Sequence, residues 1–204
     1  FVCVQSGFIQ ALVSLRRCRG RGAWMIERLL LSPGQEAHCF DLLEKLTFAG
    51  GKLKAERLFL RLNSSSPAVE MAKRAGFNQY LTEYLYCLEE GRRTAPAESQ
   101  LVLRPKSSAD GHGLFRLYSA TAPHQVRSVE GMTLQEWSRS RDRDATRELV
   151  MEKGGEISAW LRIRLGRTAG QFEIIGELGT EELGGLLDYS LAALRGRHPV
   201  YCLV

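Results

Sequence analysis

The feature that most limits the possible folds is a set of short apolar motifs that occurs twice in the chain. Four motifs recur in the same order, first at Gly7-x-Ile9-x-Ala11, Trp24-x-Ile26, Leu42-Leu43 and Leu58-Phe59-Leu60, and again at Gly155-x-Ile157-x-Ala159, Phe172-x-Ile174, Leu186-Leu187 and Val200-Tyr201-Cys202. Chance can supply one such match, but four matches in one order indicate an internal duplication. The sequence therefore predicts two copies of one folding unit.

Local patterns within the first copy indicate strands that alternate with helices. Apolar residues alternate with period two over residues 1–15 around Ser6-Gly7, which is typical of a β-hairpin. Further strands are predicted at 24–31, 58–62 and 80–88. After Pro33-Gly34 the apolar spacing changes to three and four, which predicts a helix. Its buried face is expected to contain Phe40, Leu43, Leu46, Ala49 and Leu53.

A stretch of Gly, Pro and polar residues separates the two copies. Residues 89–100 contain almost no bulky apolar side chain, which predicts a linker. We expect residues 1–90 to form the C-terminal part of a first domain, 91–100 the linker and 101–204 the N-terminal part of a second domain. Each is predicted to be an α/β unit, with a mostly antiparallel mixed central sheet flanked by helices. Because the chain has no initiator Met and stops inside a strand-like run, we expect both domains to be truncated at their outer ends.

Composition excludes several classes of protein. Hydrophobic residues make up 44% and charged residues 25%, which is typical of a globular chain. No apolar run approaches the ~18 residues of a membrane span, so no membrane partner is expected. The five cysteines are scattered and do not cluster with the four histidines, which predicts no metal site and reduced thiols in the cytoplasm.

The net charge of +5 is spread along the chain and gives no reason to expect a nucleic-acid partner. Its densest basic segment is the loop after the predicted hairpin, with Arg16, Arg17, Arg19 and Arg21. We interpret this segment as a solvated loop, with contact to a phosphate as the alternative.

The order of motifs in the first copy resembles the GNAT family of acetyl-CoA-dependent N-acyltransferases. In that family a hairpin leads to a strand with the pattern I-x-x-L-x-V-x-P, and Ile26-x-x-Leu29-x-Leu31-x-Pro33 is similar to it. The following helix, the strand at 57–60 and the ending Gly76-Phe77 also occur in the family's order. The second copy, from 101 to 204, resembles the same family more faintly.

The resemblance implies direct transfer of an acetyl group from acetyl-CoA to the amine of a small molecule or a peptide. The backbone from Leu29 to Leu31 would align the pantetheine, and amides at the start of the next helix would hold the diphosphate. The implied cofactor contacts are Leu29, Leu31, Gln35, Glu36, Ala37, His38 and Ser65. Glu27, on the strand before the turn, has the position and reach of a general base.

Some positions depart from the family's pattern. Many members have a Tyr four residues before the Gly of the Gly-Phe ending, where its hydroxyl protonates the leaving thiolate, but Ala72 stands here. The turn before the helix has one glycine, and the acidic Glu36 repels a diphosphate. These departures support a second hypothesis, a GNAT-like binding or scaffold module without catalytic activity. Glu27 likewise has an alternative interpretation as an exposed strand residue paired with Arg28 or another neighbour.

Overall fold

The computed structural model of the 204-residue chain describes residues 1–18, 22–34, 36–89, 101–140 and 146–203. The chain divides into two compact units, Phe1–Tyr80 and Leu81–Val204. The predicted linker at 91–100 and the predicted cofactor contact Gln35 lie outside the described residues. In the part of the chain that is described, no helix has both the length and the hydrophobicity needed to cross a bilayer.

The first unit is a sheet with helices packed on one face. Its elements are β1 (Val2–Gln5), β2 (Phe8–Arg17), β3 (Ala23–Leu31), α1 (Glu36–Lys52), β4 (Arg57–Leu60) and α2 (Ala68–Arg74). The strand order is β1-β2-β3-β4, in which β1, β2 and β3 are antiparallel and β4 runs parallel to β3. The parallel step is possible because α1 carries the chain back along the sheet before β4 begins.

The apolar stripe of α1 forms the core of the first unit, but its membership differs from the prediction. Cys39, Leu42, Leu43 and Leu46 are buried against Val13, Ile26 and other residues of the sheet. Phe40 is only half-buried, and Leu53 is 57% exposed. Leu53 was wrongly placed on this face because the helix ends at Lys52, so the residue no longer follows the helical period.

The second unit contains a larger mixed sheet. Its elements are β5 (Leu85–Leu88), β6 (Leu103–Pro105), a 3₁₀ turn (Ser108–Asp110), α3 (Gly111–Thr121), α4 (His124–Glu130), α5 (Leu134–Ser140), β7 (Arg147–Lys153), β8 (Glu156–Leu165), β9 (Gly170–Gly176), α6 (Thr180–Ala193) and β10 (Val200–Leu203). The strand order is β5-β10-β9-β8-β7-β6, so β7 to β10 repeat the order of β1 to β4. The β9 and β10 strands are parallel, as β3 and β4 are.

The two hairpins also share their register. Val4 lies opposite Ile9 and Cys3 opposite Ala11, so β2 carries one bulged residue between them. In the second unit Glu152 lies opposite Ile157 and Met151 opposite Ala159, with the bulge at the same place. Ile9 and Ile157 therefore occupy equivalent positions, as the repeat predicts.

One of the four predicted matches is wrong by two residues. Ile26 pairs with Leu15 and Leu60, whereas its equivalent in the second unit, paired with Ile163 and Cys202, is Phe172. The predicted equivalence of Trp24 and Phe172 fails because the β2–β3 connection is longer than the β8–β9 connection. Equal spacing in sequence therefore did not mean equal position in the sheet.

The strand predicted to close the first unit belongs instead to the second. Residues Leu85–Leu88 pair antiparallel with Leu203–Val200 of β10, and the division between the units falls after Tyr80. The boundary after residue 90 is therefore misplaced, because β10 offers this segment a complete ladder of backbone hydrogen bonds.

The two sheets differ in what covers their second face. In the second unit α3 and α5 pack Leu114, Leu117 and Trp137 against Val150 and Trp160 of the sheet. On the register-equivalent face of the first sheet, large apolar side chains are exposed, namely Val2, Val4, Ile9 and Leu30.

Candidate functional site

In the first unit β3 and β4 separate before β3 ends. The two strands pair only from Ala23 opposite Arg57 to Ile26 opposite Leu60, where β4 ends. The β3 strand continues to Leu31 with β2 as its partner on the other side. In the described part of the chain no strand pairs with Glu27–Leu31 on the β4 side, and we call this opening the first gap. An extended ligand can use a strand edge of this kind through backbone hydrogen bonds.

The side chains of Leu29 and Leu31 point away from any ligand in the first gap. Both pack on the core formed by α1 and the sheet. Their backbone groups are therefore the part of these residues that a ligand can reach, which is the role that the resemblance implies for them.

The turn at the end of β3 leads directly into α1. Gly34 has a φ of +76°, a conformation that glycine adopts without strain, and α1 begins at Glu36. The first backbone N–H groups of a helix have no intrahelical acceptor and carry a partial positive charge, so they favour an anion. Ala37 is exposed and His38 half-buried in this first turn.

The His38 side chain lies in a different place from the first gap. It lines a cavity of about 380 Å³ between α1 and the β1 end of the sheet, together with Asp41, Leu42, Lys45 and residues 1–4. The structure thus brings together the backbone of β3 and the start of α1, but it separates the imidazole from them.

Glu27 is a bulge residue of β3 and pairs with a neighbouring strand. The register shifts between Ser14 and Leu15, which leaves Glu27 as the extra residue. Its carboxylate is 52% exposed and lies 3.4 Å from Nε of Arg16. Of the two interpretations, the ion pair is present, with Arg16 as the partner instead of Arg28. The pair is exposed, so it leaves the carboxylate accessible to solvent.

Ser65 lies in the turn that follows β4. Its backbone N–H and its hydroxyl both donate to Oδ1 of Asn63, at 3.0 and 2.8 Å. Oγ of Ser66 accepts a hydrogen bond from the N–H of Ala68 at the start of α2. These polar groups lie just beyond the C-terminal end of β4, and the Pro33-Gly34 turn lies just beyond the C-terminal end of β3.

Ala72, at the position of the family's Tyr, is a core residue. It is 5% exposed and belongs to the cluster formed by α1 and the sheet. No hydroxyl is present at this position to protonate a leaving thiolate, and the tight packing around Ala72 leaves little room for a ring.

The second unit has a similar gap, but a carboxylate of the chain itself caps the helix that follows it. The β9 strand pairs with β10 only as far as Phe172 and continues to Gly176, which forms a second gap. At the start of α6, Oε2 of Glu182 accepts the N–H of Gly179 at 2.9 Å, and Lys153 Nζ lies 3.3 Å from Oε1. The Gly179 N–H and then Lys153 lower the pKa of Glu182. The Glu182 carboxylate thus lies at the start of α6, where an anionic ligand would otherwise bind.

Sequence analysis missed a row of alternating charges across the second sheet. The chain of contacts runs from Lys106 to Glu148 (3.0 Å), from Glu148 to Arg162 (3.5 Å) and from Arg162 to Glu173 (2.7 Å). Glu173 is the first residue of β9 beyond its pairing with β10 and lies at the base of the second gap. The available signal was an Arg inside the apolar run of residues 159–165.

Two members of this row are replaced in the first unit. By register Ser14 corresponds to Arg162, and Arg28 corresponds to Glu173. The charged residues beside the two gaps therefore have opposite signs, with Arg28 beside the first gap and Glu173 beside the second.

The described residues contain no cluster of three or more His, Cys, Asp or Glu side chains that could hold a metal ion. The five cysteines are free thiols. Burial raises the pKa of the Cys39 thiol, which disfavours the thiolate that a nucleophile requires.

Comparison with known proteins places this fold among the GNAT proteins. A GCN5-related N-acetyltransferase from Sphaerobacter thermophilus matches with a TM-score of 0.61 and 12% identity, over 97% of this chain and 68% of that one. A tandem GNAT protein from the clavulanic acid biosynthesis pathway matches with a TM-score of 0.54 and 16% identity, over 100% and 73% of the two chains. A putative acetyltransferase from Thermoplasma acidophilum has a TM-score of 0.51 and 16% identity, over 98% and 68%. No protein-family model and no curated protein sequence matches the chain significantly.

Proposed function

We propose that this chain, which has the fold of the GNAT proteins, is an acyltransferase that moves an acetyl group from acetyl-CoA to an amine. The observation that carries the proposal is the first gap, where an unpaired stretch of β3 ends beside the start of α1. A free strand edge that lies beside the start of a helix suits a ligand in which an extended, amide-containing arm is joined to a diphosphate.

The residues of the first unit fit such a donor through their backbones. The peptide groups of Glu27–Leu31 would pair with the pantetheine arm, and the N–H groups at the start of α1 would hold the diphosphate. Gln35, Glu36, Ala37 and His38 would contribute these amides, and Ser65 would contribute a polar contact from the turn after β4. The proposed acceptor is the amine of a small molecule or a peptide.

The proposed reaction is a direct transfer. Acetyl-CoA supplies the acetyl group as a thioester. The amine nitrogen attacks the carbonyl carbon, so a C–N bond forms, the C–S bond breaks and the sulfur leaves as the thiolate. Glu27 would accept the proton that the amine loses, directly or through a water, because its carboxylate is exposed and Glu27 is the first residue of β3 beyond the pairing with β4. With Ala72 in place of a Tyr, the thiolate would take its proton from solvent.

The alternative function is a GNAT-like binding or scaffold module. It is favoured by Ala72, which lacks a titratable group, and by Glu182, which fills the anion position of the second unit. Under this alternative at least one unit keeps the fold but turns over no acetyl donor.

Thermal unfolding with and without millimolar acetyl-CoA tests the proposal. A ligand that binds only the folded state raises the midpoint by an amount that grows with its concentration. Release of free thiol in the presence of simple amines then separates an enzyme from a binding module. An unchanged midpoint would reject both donor binding and the acyltransferase.

We also propose a cytoplasmic location and a tandem arrangement of two related units. The free cysteines support the first. The repeated strand order and shared bulge support the second.

A further inference from the structure

Unpaired cations collect at one end of the second unit. Five basic side chains of this unit lie against carboxylates, namely Arg104, Lys106, Arg116, Lys153 and Arg162. At the end where β9 and β10 begin, a different set of cations lies on the β8–β9 and α6–β10 connections and at the first residue of β7. We call this set the basic end, and it consists of Arg147, Arg167, Arg195, Arg197 and His198.

The basic end is a defined structure held by hydrogen bonds between the two connections. The N–H of His198 donates to the carbonyl of Thr168, and the N–H of Gly170 donates to the carbonyl of Pro199, both at 3.0 Å. Nη1 of Arg197 donates to the carbonyl of Gly166 at 2.8 Å. These bonds hold together the two backbone segments that carry Arg167, Arg195, Arg197 and His198.

Among the described residues, the two connections supply no acid that could neutralise these charges. Residues 164–170 and 194–199 contain no Asp or Glu. Arg167, Arg195 and His198 are exposed, and among the described residues their side chains contact no carboxylate. Arg147 donates to the hydroxyl of Tyr189, which is neutral. Guanidinium groups that gather without a carboxylate among the described residues create a positive field that attracts anions.

The first unit is basic at its equivalent end. There the β2–β3 and α1–β4 connections meet through the carbonyl of Gly22, which accepts from the N–H groups of Glu56 and Arg57. Exposed Arg17, Lys52 and Lys54 lie in or beside these connections. Because the exposed acid Glu56 lies in the same connection, this end of the first unit has mixed charges with a basic excess.

We propose that the basic end binds the phosphate backbone of double-stranded nucleic acid. Guanidinium groups suit phosphate because their planar forks donate two parallel hydrogen bonds. The two connections contain no Phe, Tyr or Trp ring on which an unpaired base could stack, so a duplex fits better than a single strand. Leu165 is the exposed large apolar residue beside them, which offers little for insertion into a bilayer. The proposal goes beyond acyl transfer and departs from the expectation drawn from overall charge.

This surface is separate from the gap of its unit. The parallel strands β9 and β10 both begin at the basic end, whereas the second gap opens toward the other end of β9 at Gly176. A duplex bound at the basic end therefore leaves the gap open, and acetyl-CoA should not displace it.

Fluorescence anisotropy with a labelled duplex of ~20 bp, about two helical turns, tests the proposal. Duplex affinity is measured at several salt concentrations for the parent and for the double variant Arg167→Glu/Arg195→Glu. We expect binding to weaken about tenfold and the slope of log K against log salt to fall by about 2, one for each lost phosphate contact.

The control variant Lys45→Glu/Arg127→Glu changes the net charge equally at exposed sites away from the basic end. It should keep most of the affinity and the slope. Equal losses in both variants would overturn the proposal, because total charge would then explain the binding. Thermal unfolding of each variant checks that it is folded.

Vesicles with and without phosphatidylserine, and polyglutamate, serve as competing anions. Binding to anionic vesicles without binding to the duplex would assign the basic end to a membrane surface and overturn the proposal. Polyglutamate that binds as tightly as the duplex would assign it to an acidic protein and would also overturn it.

Discussion

Arg162 and Glu173 face each other across β8 and β9, with Nη1 of the arginine 2.7 Å from Oε2 of the glutamate. Only 5% of the Arg162 side chain is exposed, and its guanidinium lies over the ring of Trp160 at 5.2 Å. A buried guanidinium is tolerated only when carboxylates and hydrogen bonds compensate for its lost hydration. Glu148 and Glu173 are therefore required on either side of it.

Removal of Glu173 should destabilise the second unit. In Glu173→Ala the buried Arg162 keeps the longer contact with Glu148 at 3.5 Å, so we expect a loss of about 2–4 kcal/mol in the free energy of unfolding. The control Glu156→Ala breaks the exposed pair with Arg116 and should cost under about 1 kcal/mol. Urea unfolding measures both, and equal losses would show that the buried pair has no special weight.

Acid should weaken the contact between Asp110 and Arg104. Nη1 and Nη2 of Arg104 each donate to the Asp110 carboxylate at 2.8 Å, and they hold the pKa of Asp110 well below its usual range. A group with a depressed folded pKa stabilises the protein above its unfolded pKa, about 3.9, and this contribution is lost as the pH falls below it.

The parent protein should therefore lose more stability between pH 7 and pH 3 than Asp110→Asn does, because the variant has no carboxylate to protonate at this position. Urea unfolding at the two pH values gives the comparison. The same pH dependence in the two proteins would mean that other carboxylates account for the whole effect.

Substitutions at Leu43 and Leu53 distinguish the observed buried face of α1 from the predicted one. Leu43 is fully buried, so Leu43→Ala should cost about 2–5 kcal/mol through lost burial and a cavity. Leu53 is 57% exposed just after α1, so the same substitution should change stability by about 0.5 kcal/mol or less. Thermal or urea unfolding of the two variants is sufficient, and a small loss at Leu43 would contradict the assigned core.

Glu36 and Glu182 test which helix start receives the acetyl donor. Glu36 adds a negative charge to the first turn of α1, so we expect weak donor binding in the parent and about two- to fivefold tighter binding in Glu36→Gln. The gain should be largest at low salt, where screening is weakest.

Glu182→Gln is the matched control in the second unit. If the donor binds the first unit, this substitution leaves the affinity for acetyl-CoA unchanged in isothermal titration. A gain in Glu182→Gln with no gain in Glu36→Gln would move the donor to the second gap.

Part of the candidate site was accessible from local sequence patterns. The motif from Ile26 to Pro33 predicted a strand that gives way to a turn and a helix, and Gly34 stands in that turn. The row through Glu148, Arg162 and Glu173 was not accessible, because its members lie on three strands and meet only through their register. Local patterns carry no information on the lengths of the connections that set this register.

The sequence by itself determined the alternation of strands and helices in the first unit, because apolar period and turn residues act over a few neighbours. The tertiary structure alone decided where residues 85–88 belong, since a short strand takes the edge that completes its hydrogen bonds, and that edge is β10. It also decided that Glu27 pairs with Arg16 and that Glu182 fills the start of its helix. Such contacts form between charged groups that are far apart in the sequence. Only the folded chain sets the distances between these groups, and those distances decide how strongly they interact.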